Sequence, residues 1–293
     1  MTAGFPGFSP DFEARLERLA LRFRRPATGR WAGAQRSRAV GRGLAFADHR
    51  PYAEGDEPRL VDWRAYARHG RLYTRRFEED RDRTVTLAVD VSASMDHGEG
   101  PSHKGLYARR LAAALAQVAV LRHLRVEVLC VRDGRLEPGP VVTARSGLPA
   151  AFRFLGGVRE GGAARLGEVG ALLRSRRTLI LLSDLLEPDW ERGTALLGGP
   201  GQAGAVLQVL APDEWEPPLG GEVELVDAET GEVREVQLTP AGLAGYRCRL
   251  DAFLGAVRAR CGRQGLTHAA LNTATAVEEA VLRVLPATGL LDR

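Results

Sequence analysis

The chain has 293 residues, 44% apolar and 27% charged, with a formal net charge of +4. This is the composition of a globular protein able to bury a core, and it excludes wholesale disorder. No apolar run reaches the ~18–20 residues of a membrane span. The longest, residues 111–121, carries Gln117 and is flanked by Arg110 and Arg122. No cationic stretch leads into an apolar one at the start, so no signal peptide is read and the expectation is a soluble, cytoplasmic protein.

Three cysteines, Cys130, Cys248 and Cys261, match no zinc or thioredoxin spacing and read as reduced thiols. Residues 1–83 carry 18 Arg against 12 Asp and Glu, net +6; the remainder carries 23 Lys and Arg against 25 acids, net −2. An arginine-rich N-terminal segment suits phosphate or nucleic-acid binding. Arginine, however, replaces lysine throughout the chain, with Lys104 the single exception. A general compositional bias explains that better, and nucleic acid is an unlikely partner.

Residues 9–25 are predicted to form an amphipathic helix. Ser9 is its N-cap, Pro10 sits in the first turn, Asp11 and Glu13 complement the dipole, and Phe12, Leu16, Leu19, Ala20 and Phe23 share a face. Residues 29–43 are rich in glycine and arginine and read as a linker. Residues 44–83 show no clean period. Residues 84–90 are a buried strand ending on Asp90, and 106–124 an alanine-rich helix. Residues 126–131 are a strand, Asp133-Gly134 a turn, and 141–144 the return strand. Helices at 150–155 and 166–175 precede a second aspartate-terminated strand, 178–184, and another strand, 205–210. A hairpin at 222–238 turns at Thr230-Gly231. A long helix from Thr239-Pro240 to about Cys261, a strand at 267–271, and a helix opened by a Thr275/Glu278 capping box complete the chain. The alternation predicts an α/β domain: a doubly wound, mostly parallel sheet with helices on both faces and one antiparallel edge at 126–144. The expected division is an N-terminal helical and irregular extension, 1–83, before an α/β domain, 84–293.

In such a sheet ligands collect at the carboxyl ends of the strands. Asp90-x-Ser92-x-Ser94 places a carboxylate and two hydroxyls on alternate residues of a tight loop, and Asp184 ends a neighbouring strand. Sparse oxygen ligation of this kind suits Mg²⁺ or Mn²⁺, and an open position would take a carboxylate from a partner. The alternative is that Ser92 and Ser94 cap the next helix while Asp90 accepts backbone N–H groups. The histidines, among them His49, His69, His97 and His103, share no metal-ligand spacing.

Asp90, Ser92, Ser94 and Asp184 resemble the metal-ion-dependent adhesion site of von Willebrand factor A domains. Upstream, Arg50-Pro-Tyr52-Ala-Glu-Gly55-Asp56-Glu-Pro-Arg59-Leu-Val-Asp62-Trp63, followed by Ala67-Arg68, resembles the signature of the bacterial domain-of-unknown-function 58 family. Glu214, the segment from Asp227 to Glu232, and Gly289-Leu290-Leu291 extend that resemblance over most of the chain from about residue 36. It implies a non-enzymatic A-type domain that holds a divalent metal and binds a protein partner, expected to be a MoxR-type AAA+ ATPase. Two departures stand out. The threonine that follows a Gly-Gly turn in A-type sites is absent, since Gly161-Gly162 runs into Ala163-Ala164, so the metal site is expected to be weak or vestigial. The N-terminal membrane helices of many relatives are absent as well. Arg50, Tyr52, Gly55, Asp56, Arg59, Asp62, Trp63 and Arg68 form either a structural clasp or a docking surface for the ATPase. A metal-dependent phosphotransfer enzyme is the alternative function. It wants a second carboxylate two residues after the nucleophile, where this chain has Ser92.

Overall fold

The computed structural model describes residues 5–22, 45–53, 61–78, 84–174, 178–195, 197–198, 202–217, 221–228 and 231–292. In chain order the elements begin with α1 (Pro10–Leu16) and β1 (Ala20–Leu21). Next come β2 (Ala45–Pro51), α2 (Trp63–His69) and β3 (Tyr73–Glu78), then β4 (Thr84–Asp90), α3 (Lys104–Leu121), β5 (Arg125–Arg132) and β6 (Arg135–Val142). They are followed by α4 (Leu148–Gly157), α5 (Leu166–Arg174), β7 (Thr178–Ser183), α6 (Trp190–Ala195), β8 (Ala203–Leu210) and α7 (Pro212–Trp215). The last are β9 (Gly221–Val226), β10 (Val233–Leu238), α8 (Pro240–Arg263), β11 (Thr267–Asn272), a closing helix from Val277 to Thr288 with a π turn at Ala280–Val284, and β12 (Leu291–Asp292).

Contacts divide the described residues into two units, one joining the stretch up to residue 22 with 84–292, the other lying within 28–83. The second unit is a β2–β3 antiparallel pair with α2 beside it. Asp62 caps α2, accepting from the N–H groups of Arg64 (2.9 Å) and Ala65 (3.0 Å).

The first unit is the expected α/β fold. Its six-stranded sheet runs β11-β8-β7-β4-β5-β6, parallel throughout except for the β5–β6 edge. Counted in chain order, that is the doubly wound order 3-2-1-4-5-6, whose reversal of winding falls between β4 and β7. The middle strands are buried on both faces, which is why they read as unbroken apolar runs. Leu87, Val89, Ile180 and Leu182 point into the layer built by α1, α3, α4 and the closing helix. Ala88, Leu179, Leu181 and Val206 point into the layer carrying Leu166, Val169 and Leu173 of α5 with Val257 and Cys261 of α8. Helix α3 is buried nearly all round, and its alanines permit close approach to the sheet.

Several sequence readings are corrected. The first helix stops at Leu16, because Ala20 and Leu21 pair with Asp292 and Leu291 as an antiparallel bridge. Phe23 lies outside the described residues. Phe12, Leu16 and Leu19 are buried in the main core, so this helix belongs with residues 84–292 and not with the extension drawn as 1–83. The return strand starts at Arg135, immediately after the turn; Pro138 and Pro140 are tolerated because β6 is an edge strand. Thr275 caps nothing, since the closing helix starts at Val277 with Ala276 in the cap position. Glu278 instead meets Arg110 at 3.2 Å. Short helices α6 and α7 were not foreseen. The three cysteines are free thiols, and among the described residues no helix is long and apolar enough to cross a membrane.

Candidate functional site

Asp90 and Ser183 lie side by side at the carboxyl ends of parallel neighbours β4 and β7, with Asp184 the next residue. This is the position where the winding of the sheet reverses. Asp90 is 1% exposed, and both its oxygens are engaged: Oδ1 accepts from the Ser92 N–H (2.9 Å) and Oδ2 from the Ser183 hydroxyl (2.6 Å). Burial and the negative charge of Asp184 push its pKa up to about 6, against the opposing effect of these hydrogen bonds. The Ser92 and Ser94 hydroxyls are 3.2 Å apart. Ser92 begins a short 3₁₀ turn, Ala93–Met95, but its side chain caps nothing. The serines are therefore not helix caps. The helix that follows, α3, is capped by His103.

The glycine loop expected to carry the missing threonine does lie here. Gly161 N–H donates to Val91 C=O, and Gly162 C=O accepts from Ala93 N–H, both at 2.8 Å. Ala163 and Ala164 bring no hydroxyl. On the other side Leu185, a buried non-glycine residue, holds a φ of 59°. Its N–H is tied to Ser183 Oγ (3.0 Å) and that of Leu186 to Asp184 Oδ1 (3.1 Å). The backbone around the second aspartate is thus held in an uncommon conformation by the site's own side chains.

The residue that sequence reasoning missed is Lys104. It is 1% exposed, and its Nζ donates to Asp184 Oδ2 (2.8 Å) and Glu214 Oε1 (2.6 Å). Burial pulls the ammonium's pKa down, but the two carboxylates outweigh it and the net shift is upward. Glu214 in turn accepts the Ala211 N–H through Oε2 (2.7 Å). That the only lysine of an arginine-rich chain sits here was the available signal. The ammonium is a compact point charge whose three donors serve two carboxylates at once.

Asp184 and Glu214 pair with one ammonium and Asp90 lies beside Asp184, so three carboxylates stand against a single lysine, two negative charges in excess near the paired hydroxyls. That donor set fits a small hard divalent cation. Asp90, Ser92 and Ser94 would hold it, with Asp184 already committed to Lys104 on one oxygen.

The upstream string is less gathered. Gly55, Asp56 and Arg59 lie outside the described residues, as does the Arg50 side chain. Asp62 is the α2 cap. Tyr52 and Trp63 are 37% and 61% exposed. Trp63 meets Tyr66 edge-on at 6.3 Å, and Arg68 is exposed. His103, with no ligand spacing in sequence, caps α3 and brings a ring nitrogen within 4.8 Å of carboxylate oxygens of Asp96 and Glu160.

The model of a family described as "Protein of unknown function DUF58" matches residues 48–247. The chain belongs to the DUF58 family. Relatives of this DUF58 protein include the uncharacterized proteins Rv1480 of Mycobacterium tuberculosis and Mb1516 of Mycobacterium bovis. Each is 28% identical over 240 residues, covering 79% of this chain and 75% of the relative. Similar solved structures include the conserved hypothetical protein BatB from Bacteroides thetaiotaomicron, at 16% identity and TM-score 0.42, covering 70% of this chain and 98% of that one. A von Willebrand factor type A protein from Catenulispora acidiphila aligns at 19% identity and TM-score 0.32, covering 50% of this chain and 36% of that one.

Proposed function

We propose that this DUF58 protein is a protein-interaction module that docks a partner at the carboxyl end of its sheet, through a divalent cation held by Asp90, Ser92 and Ser94. The observation that carries the reading is the Ser92–Ser94 hydroxyl pair, 3.2 Å apart beside the buried Asp90 carboxylate. The bound cation supplies an electrophilic point for a carboxylate of the partner. The chain's own residues do the rest. Ser183 and the Ser92 N–H fix Asp90, Lys104 fixes Asp184, and the Gly161–Gly162 loop braces the serine loop through two backbone hydrogen bonds.

The partner is a MoxR-type AAA+ ATPase, a proposal that rests on the family resemblance. Because no hydroxyl stands at Ala163 or Ala164, the free site binds metal weakly and gains affinity when the partner arrives; by linkage each ligand strengthens the other equally. Calorimetric titration of the ATPase into wild type and Asp90→Ala, each with Mg²⁺ and with chelator, tests this. Binding is expected only for wild type with Mg²⁺. Equal affinity in all four titrations would show that the constellation serves the fold alone.

A further inference from the structure

We propose that Asp96, His103 and Glu160 form a second cation site, separate from Asp90 and suited to Zn²⁺. One donor atom from each of the three lies within 4.8 Å of the others. All three line one cavity of about 370 Å³, together with Leu106, Arg109 and Arg159. An imidazole and two carboxylates supply one nitrogen and two oxygen donors, all accepted by Zn²⁺, with a fourth position left open to the cavity.

Two of the ligands, Glu160 and His103, are placed by something other than their neighbours in the cluster. Glu160 is held by Arg109, whose NH2 lies 2.8 Å from Oε1. Arg109 is itself anchored on the carbonyls of Gly105 (3.1 Å), Leu155 (3.1 Å) and Val158 (3.3 Å). The Glu160 side chain is only 6% exposed, yet its Oε1 accepts no well-directed hydrogen bond. The absence of a side chain at Gly105 is what lets Glu160 lie against α3, since a Cβ there would overlap its carboxylate. His103 is fixed as the N-cap of α3, its Nδ1 accepting the Leu106 N–H at 3.2 Å. This turns Nε2 toward Asp96 Oδ1, 2.9 Å away.

Zn²⁺ wants donors 2.0–2.2 Å from the ion, about 3.4 Å from one another in a tetrahedron. The cluster must therefore close slightly, and Asp96, whose side chain is 65% exposed, has the freedom to do it. Coordination through Nε2 moves the imidazole proton to Nδ1 and gives up the Leu106 cap. Zinc binding is thereby coupled to the first turn of α3, the turn that also carries Lys104.

The test is titration of the full chain with Zn²⁺ against a chromophoric chelator. Wild type is compared with Asp96→Asn, His103→Asn, Glu160→Gln and Asp90→Asn. Asparagine at 103 removes the imidazole but is itself a good N-cap, so that variant keeps its helix start; circular dichroism confirms the fold of each. One equivalent is expected to bind, weakened at least tenfold in each of the first three variants and unchanged in Asp90→Asn. Affinity untouched by the three substitutions, loss in only one of them, or loss confined to Asp90→Asn would overturn the site. Since Asp90→Asn probes the other constellation, failure here and failure of the proposed docking function give different patterns.

Discussion

At the scale of single residues, Lys104 organises the sheet edge more than the aspartates that announce it. Its ammonium is the only lysine charge in the chain and is withdrawn from water to join Asp184 and Glu214. Removing one partner of such a buried set leaves the others charged and unpaired, which costs far more than the set contributes as a whole. Lys104→Met is therefore expected to destabilise the protein by about 3–5 kcal/mol, read as a lowered urea midpoint. The triple variant Lys104→Met, Asp184→Asn, Glu214→Gln should recover most of that loss, because no uncompensated charge remains. A Lys104→Met midpoint matching wild type would refute this account of the site.

Among elements, α1 changes the meaning of the N-terminal segment. Ser9 caps it through the Phe12 N–H (3.2 Å), and Pro10 and Asp11 suit its first turn, so its start was legible from local chemistry. Its end was not. The apolar residues Leu19 to Leu21 continue the helical spacing, but β12 offers them backbone partners, and Arg122 ties the turn down through the Leu19 carbonyl at 2.8 Å. Leu16 has no exposed surface and belongs to the main core. Leu16→Ala is expected to cost about 2–5 kcal/mol in chemical denaturation, as a core leucine does. A cost below about 0.5 kcal/mol, typical of a surface position, would mean that α1 is an appendage.

For the whole molecule, a buried group and a half-buried one make stability depend on pH in opposite senses. Asp90 has its pKa raised from 3.8 to about 6, chiefly by burial and then by Asp184. The native state therefore takes up that proton first, and stability falls as pH rises from about 4 to 6. His268 is lowered from 6.5 to about 4 by burial and by Arg258, and its Nε2 contacts Gln208 Oε1 at 3.1 Å. There the unfolded chain takes up the proton first, and stability falls as pH drops from 6.5 to 4. Each effect is bounded at about 3 kcal/mol. With chelator present, Asp90→Asn should gain on wild type as pH rises through this window, and His268→Gln should gain as it falls. Curves parallel to wild type would show that neither group is perturbed. These opposed titrations, like most of the site, were beyond reach of the sequence. The sequence by itself determined the α/β class, two adjacent buried strands and the aspartate at the carboxyl end of each, although the second strand stops at Ser183 and Asp184 is the next residue. It could do so because strands buried on both faces leave unbroken apolar runs and because winding rules limit where such strands lie. Only the tertiary structure decided that Lys104 neutralises Asp184, that His103 meets Asp96 and Glu160, and that residues 10–21 join the core. Those contacts join residues as much as 272 positions apart (Ala20 and Asp292), and no local pattern of spacing or polarity encodes which distant side chain a polar group will meet.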